Sequence, residues 1–429
     1  MAKPFPKDKL ITLLKETGDV FRVCSKKVKI LSTLAWEPRV LEEFFAHQGT
    51  ELPKPRYQID VKMLDEMAES LKSIEPLVRG AHPLLHWLAR TRESFVQAIE
   101  LLKSLETPRF HEVSTQMYGN SQTFFYRGKT SNLELANLIS GRLAVSALED
   151  IQAMDPVLSA EQFAKRIERR LRNREPEIQV KVEVTDQIVA KVAAGAGRVR
   201  IRQDSTFSPM DVISLWNHEI ESHCLTAHNG ASHPHCNFLG SAGPRTTMTQ
   251  EGLAVFFEVY GHSMSQTRFL TLCQRTHAVK MVEDGADFLQ VYRWYLEISE
   301  NEKDAFYQTQ RIFRGAPVTG RYPFTKDVVY LSGLLGVYNF LRLAVKNQNR
   351  ILVESLVCGR MALEDVGTVA WLRKHGLVNP PKYVPEWLDN WEALLSFFSL
   401  SAVLESIDLS SFSGYFDDYY TLENWDLGF

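Results

Sequence analysis

The sequence predicts an α+β protein dominated by helices, with a small β-sheet beside them, and three observations carry that prediction. Apolar residues recur at helical intervals in long stretches such as "YQIDVKMLDEMAESLKSIEPLV" and "HPLLHWLARTRESFVQAIELLKSL". Two short stretches, "IQVKVEV" (178–184) and "RVRIRQD" (198–204), alternate apolar and polar side chains, the pattern of strands with one buried face. Directly after the second, Ser208, Pro209 and Asp211 form a capping-box arrangement that opens a helix running into "VISLWNHEIESH".

In chain order, residues 1–108 read as an N-terminal helical segment, closed by "LETPRFHEVSTQMYGNSQTFF", whose Pro and Gly mark a break. Residues 109–384 form the main region and residues 385–429 a helical and aromatic tail expected to pack on it. Within the main region, "SAEQFAKRIERRLRNREPEI" predicts a helix with a basic, solvated face. Between the two strands, "DQIVAKVAAG" reads as a short helix. After Ser208, the apolar Val212, Ile213, Leu215 and Trp216 provide the surface by which the next helix is buried.

Bulk properties exclude several functions. Lys plus Arg number 49 against 52 Asp plus Glu, a formal charge of -3, so no global field points to nucleic acid or an anionic membrane. The basic run near Arg169 lacks interleaved aromatics, and "AAGAGRV" lacks the spacing and Lys-Ser/Thr end of a phosphate loop. Five scattered cysteines, without CxxC spacing, fit a reducing compartment and offer no cysteine zinc knuckle. The start "MAKPFPKDKLITLL" has no secretory apolar core, and no apolar run is expected to span a bilayer. The expectation is a cytoplasmic protein of open oligomeric state, without nucleic-acid or membrane partners.

The chemistry concentrates in "NHEIESHCLTAHNG" (217–230). His218 and His223 are five residues apart, which in a regular helix separates them by roughly 140°. A wider turn of π type would absorb the extra residue and return both to one face; otherwise they are two unrelated helix histidines. A second segment, "TQEGLAVFFEVY", supplies Glu251 near the start of another helix, with Thr249 as its candidate N-cap and Gly252 allowing close packing. Two histidines and one carboxylate are a common zinc set in catalytic peptidases, with a position left for water or substrate. Glu221, Asn217 or a backbone carbonyl would orient the imidazoles, although Glu221 also reads as solvent-facing. His228, His233 and His235 follow in a loop whose spacing gives little support to a further metal site.

HEIESH followed by TQEGLA resembles the bacterial proteins named for their QEGLA motif, to which the microtubule-associated tyrosine carboxypeptidases are related. The resemblance extends through "STQMYGN", "HCLTAHNG", "RIFRG" and "FTKDVVYLSG", and so covers most of residues 110–345. It implies a zincin-like metallopeptidase of the HExxxH type, with one zinc ion held by His218, His223 and Glu251, and Glu219 as the catalytic carboxylate. The implied substrate is a free peptide or protein C-terminus, with an aromatic final residue carried over from the animal enzymes. Such a substrate needs a cation for its carboxylate and a donor for the developing oxyanion. Lys326 and Tyr330, four residues apart, share a helix face and are candidates for these roles, as are Arg311 and Arg314 for the cation. The alternative is a binding or regulatory protein that keeps the scaffold without turnover.

Overall fold

In the computed structural model, residues 6–124, 129–145, 158–188, 190–195, 197–299 and 301–404 are described. Among the described residues, helices run from Lys7–Lys27 to Trp391–Leu404, and the strands lie within 158–207. A three-stranded sheet has the order β2 (Lys181–Thr185), β4 (Arg198–Arg202), β3 (Val192–Ala194), with β2 parallel and β3 antiparallel to β4. A separate pair joins β1 (Leu158–Ser159) to β5 (Thr206–Phe207). The helix-dominated α+β class is as the periodicities predict.

The sheet owes its place to one apolar face. Val192, Val199 and Ile201 are buried against Phe163, Ile167 and Leu171 of helix Ala160–Arg174 and against Trp216 and Ile220. That helix starts in a capping box between Ser159 and Gln162, and its Phe163 stacks on Phe207 at 4.1 Å. The basic run along it is not wholly solvated: the Arg170 guanidinium lies 4.2 Å from the Trp216 ring centroid, and Arg174 pairs with Glu221 at 3.2 Å.

Three local expectations fail for identifiable reasons. "DQIVAKVAAG" is no helix; its second half is β3, because β4 offers Val192–Ala194 a ladder and a buried site for Val192 that outweigh the helix propensity of alanine. The supposed break near residue 108 contains helix Pro108–Tyr118, with Pro108 in its first turn and Gly119 (φ 78°) closing it. Ile213 is exposed whereas Trp216 is fully buried.

The main core joins the N-terminal helices to the main region and includes Leu394 and Phe398 of the expected C-terminal tail, of which residues 405–429 lie outside the described residues. One apolar cluster includes Leu10, Phe21 and Phe95 together with Leu253, Phe257, Val337 and Leu341. At its centre helix Thr247–Tyr260 crosses helix Val329–Lys346 at two glycines: a Cβ added to Gly252 would lie 2.1 Å from the Gly333 carbonyl carbon. The stretch Thr325–Lys346 has the length and hydropathy of a bilayer span, contrary to the expectation that no run would, but 67% of that window is buried inside the protein. Its apolar side chains serve the core. All five cysteines are buried and unpaired.

Candidate metal centre

Helix Pro209–Leu215 begins as the sequence predicts. Ser208 Oγ accepts from Asp211 N at 3.0 Å, and Asp211 Oδ2 accepts from Ser208 N at 2.9 Å. From Trp216 to Cys224 the backbone widens into a π-helix, in which Leu225 N–H donates to Ile220 O, five residues back. Side chains reinforce the wide turn. Trp216 Nε1 donates to Glu221 Oε1 at 2.9 Å, another five-residue step, and Glu221 Oε2 accepts from Glu386 N at 2.9 Å. Glu221 is therefore buried and structural rather than solvent-facing, and burial pushes its carboxyl up to about 6. Neither it nor Asn217, which donates to Ser263 Oγ, orients a histidine.

The wide turn brings His218 and His223 to one face, their ring centroids 5.1 Å apart. Glu251 enters from the crossing helix. Its Oε2 lies 3.7 Å from His218 Nε2 and 3.8 Å from His223 Nε2, and donor atoms of the three residues fall within 4.8 Å of one another. Among the described residues these three are the group whose geometry suits a metal ion. Tetrahedral ligands at about 2.0–2.1 Å from an ion sit about 3.3 Å apart, so the two histidine–carboxylate pairs need close by only about 0.4–0.5 Å. Donor chemistry fits as well, with two imidazole nitrogens and one carboxylate oxygen.

Surrounding groups set the protonation of these donors. Burial opposes a charge on His218, but hydrogen bonds to Glu251 and Glu258 overcome it and raise its pKa to about 10, so the carboxylates draw positive charge to this point. For His223 burial prevails, and its pKa falls to about 3. Burial likewise opposes the Glu251 anion, yet Lys326, whose Nζ donates to Oε1 at 2.8 Å, holds the carboxyl well below its usual range. Lys326 is thus engaged with the acidic member of the set.

The residue that orients His218 lies outside the motif residues singled out above. Glu258 Oε1 lies 2.6 Å from His218 Nδ1, and Glu258 also accepts from Ser214 Oγ at 2.9 Å and from Arg268 at 3.2 Å. A signal for it exists in the sequence: Glu258 follows Glu251 by seven residues and so shares its helix face. On the other side, Arg360 Nη2 donates to the His223 carbonyl at 3.0 Å, and Gln250 makes a side-chain hydrogen bond to His223. Thr249 does not cap its helix, which spans Thr247–Tyr260; its Oγ1 accepts from Leu363 N at 2.9 Å instead. Because such carboxylate partners typically tune metal affinity about 10–100-fold, Glu258→Gln is expected to weaken metal retention by that factor. Competition with a chromophoric chelator reads it, and an unchanged affinity would reduce Glu258 to a packing partner of Arg268.

Glu219 is held from the sheet. Its Oε2 accepts from Ala194 N at 2.8 Å, so edge strand β3, where a helix was expected, fixes the carboxylate beside His218. Burial is the main reason that its pKa rises to about 7.

The remaining predicted residues lie together. Arg311 donates to Asp327 at 2.5 and 3.0 Å and to Tyr330 Oη at 3.3 Å, and Lys326 Nζ stands 3.5 Å from the same hydroxyl. Arg275, unforeseen, lies over the Tyr330 ring at 4.9 Å. Arg314 packs over Phe324 at 5.6 Å, and its buried Nε has no hydrogen-bond partner. Tyr118, also unforeseen as a site residue, is buried among Lys326, Arg314 and Glu251, and burial raises its phenol to about 12. Of the three further histidines, His228 lies not in a loop but in helix Leu225–Ala231, where it packs edge-on against Tyr383, and His233 is bound to Cys358 O and Asn379 N.

A family model described as "Microtubule-associated tyrosine carboxypeptidase" matches residues 42–406. No curated protein matches the chain.

Proposed function

The chain belongs to the microtubule-associated tyrosine carboxypeptidase family, and on that premise we propose that it removes the last residue of a peptide or protein in the cytoplasm, with zinc held by His218, His223 and Glu251. The observation that carries this reading is the convergence of those three donors beside a carboxylate, Glu219, fixed from a separate element. When bound, zinc supplies the positive charge that polarises the scissile carbonyl and acidifies water. Glu219 does the proton transfer. Ala194 occupies Oε2, so Oε1 accepts a proton from the attacking water. That proton passes to the peptide nitrogen as the C–N bond breaks, yielding a new C-terminal carboxylate and a free amino acid.

Recognition of the terminal carboxylate falls to the cationic cluster. Arg275, Arg311, Arg314 and Lys326 outnumber Asp327 and Glu251 there, so the buried site keeps an excess of positive charge. Since Arg311 is committed to Asp327, Arg275 stands 3.9 Å from the same carboxylate and over the Tyr330 ring, and Lys326 holds Glu251, Arg314 is the cation we assign to the substrate. A charge-assisted hydrogen bond of about 1.5–3 kcal/mol corresponds to roughly 10–100-fold in binding.

The test uses the zinc-loaded protein and peptides ending in Tyr, in Ala, and in Tyr amide, with products identified by mass. Release of the final residue from the acid, with the amide slower by that factor, is the expected result. Equal cleavage of acid and amide, or cuts well inside both peptides, would reject carboxypeptidase action. Equal release of Tyr and Ala would reject the aromatic preference alone.

A further inference from the structure

We infer that Tyr118 is a catalytic residue of this site, donating a hydrogen bond from its phenol to the scissile carbonyl oxygen as negative charge develops there. The inference rests on the hydrolytic reading above and adds a group to it. Tyr330 was the phenol expected in this role, but its hydroxyl already meets Arg311 and Lys326. Tyr118 is different. Only 8% of it is exposed, yet its hydroxyl has no hydrogen-bond partner among the described residues and is not among the fully enclosed orphan atoms. A buried tyrosine ordinarily finds a partner for its hydroxyl, because leaving it unpaired costs about 1–3 kcal/mol. An unpaired hydroxyl that keeps an opening and sits in the field of Glu251 and Lys326 is placed to receive one from outside the protein.

The place of its ring is held by three restraints. Ser114, one helical turn earlier on the same face, joins Thr325 through Ser114 Oγ to Thr325 Oγ1 at 2.8 Å and from Thr325 N at 2.9 Å. Thr325 adjoins Lys326, so the face carrying Tyr118 is pinned to the segment that holds Glu251. The Tyr118 ring meets Phe324 edge-on at 5.8 Å. Gly119, at φ 78°, ends the helix immediately after the tyrosine and donates to Thr115 O at 2.8 Å. These contacts pre-set the phenol, so the donor need not reorganise during reaction, the condition under which such a bond favours the transition state over the ground state.

Tyr118→Phe keeps the ring and its packing and removes only the donor. Loss of one donor to a developing oxyanion typically costs about 10²-fold in kcat, and that loss is expected with KM, zinc content and thermal midpoint near those of the parent protein. A peptide phosphonate, which carries the transition-state charge, should bind more weakly by a similar factor, while the affinity of a non-cleaved ground-state peptide stays the same. Tyr330→Phe should lower kcat less than Tyr118→Phe. Full activity with full phosphonate affinity, a rise in KM alone, or the reverse order of the two variants would overturn the assignment. A parent protein that binds zinc but cleaves no peptide would overturn the hydrolytic reading itself, and this one with it.

Discussion

Glu219→Gln is expected to retain its metal and lose hydrolysis, with kcat lower by about 10²–10⁴-fold, the usual worth of a positioned general base. Glutamine preserves the shape of the side chain, and its carbonyl oxygen can still accept from Ala194 N. What it cannot do is take a proton from water. Glu251→Ala should give the opposite pattern, losing the metal first. It also leaves Lys326, 5% exposed, as a buried charge without its 2.8 Å partner, a change that typically costs about 3–5 kcal/mol. Elemental analysis beside peptide turnover separates the two variants. Full zinc occupancy in the Glu251→Ala protein would remove Glu251 from the ligand set, and wild-type turnover in Glu219→Gln would remove Glu219 from the chemistry.

Gly252→Ala should be among the most damaging single-methyl changes in the protein. The new Cβ would approach the Gly333 carbonyl carbon at 2.1 Å and its oxygen at 2.2 Å, so no rotamer change relieves the clash and the two helices must separate. Overpacking ordinarily costs about 1–3 kcal/mol, and a backbone-to-backbone collision belongs at or beyond the top of that range. Because residue 252 follows Glu251 directly, the same displacement moves a donor of the metal centre. The expected result is a lower thermal midpoint together with weaker zinc binding. Gly367→Ala, where nothing lies within 4 Å of the added carbon, is the matched control. Equal midpoints for the two variants would show that the crossing is softer than its contact distances indicate.

Much of this centre is legible in the amino-acid sequence, because its signals are local. The five-residue spacing of His218 and His223 demands a wide turn if they share a ligand, and the capping box at Ser208 fixes where the helix starts; both features are present. Gly252 beside Glu251 signals a close crossing. What is not legible depends on pairs distant in the chain. The Ala194 bond to Glu219 spans 25 residues, and that of Lys326 to Glu251 spans 75. Three residues of Val-Ala-Ala look helical until β4 supplies a ladder, and Tyr118 looks like core until its hydroxyl is found without a partner among the described residues. Helical periodicity reports which face is buried, but not what the buried polar groups meet.

Lys326 has a consequence for which ions the centre can accept. By holding Oε1, it leaves Glu251 a single oxygen to offer, so the protein contributes three donor atoms and cannot readily chelate through both carboxylate oxygens. Calcium, which takes six to eight oxygens, and magnesium, which demands an octahedron of them, would find a site too sparse and too rich in nitrogen. A small ion content with four neighbours finds three in place and room for a reactant. On the ligand set proposed above, Lys326 would thus act as a filter on coordination number without ever touching the ion.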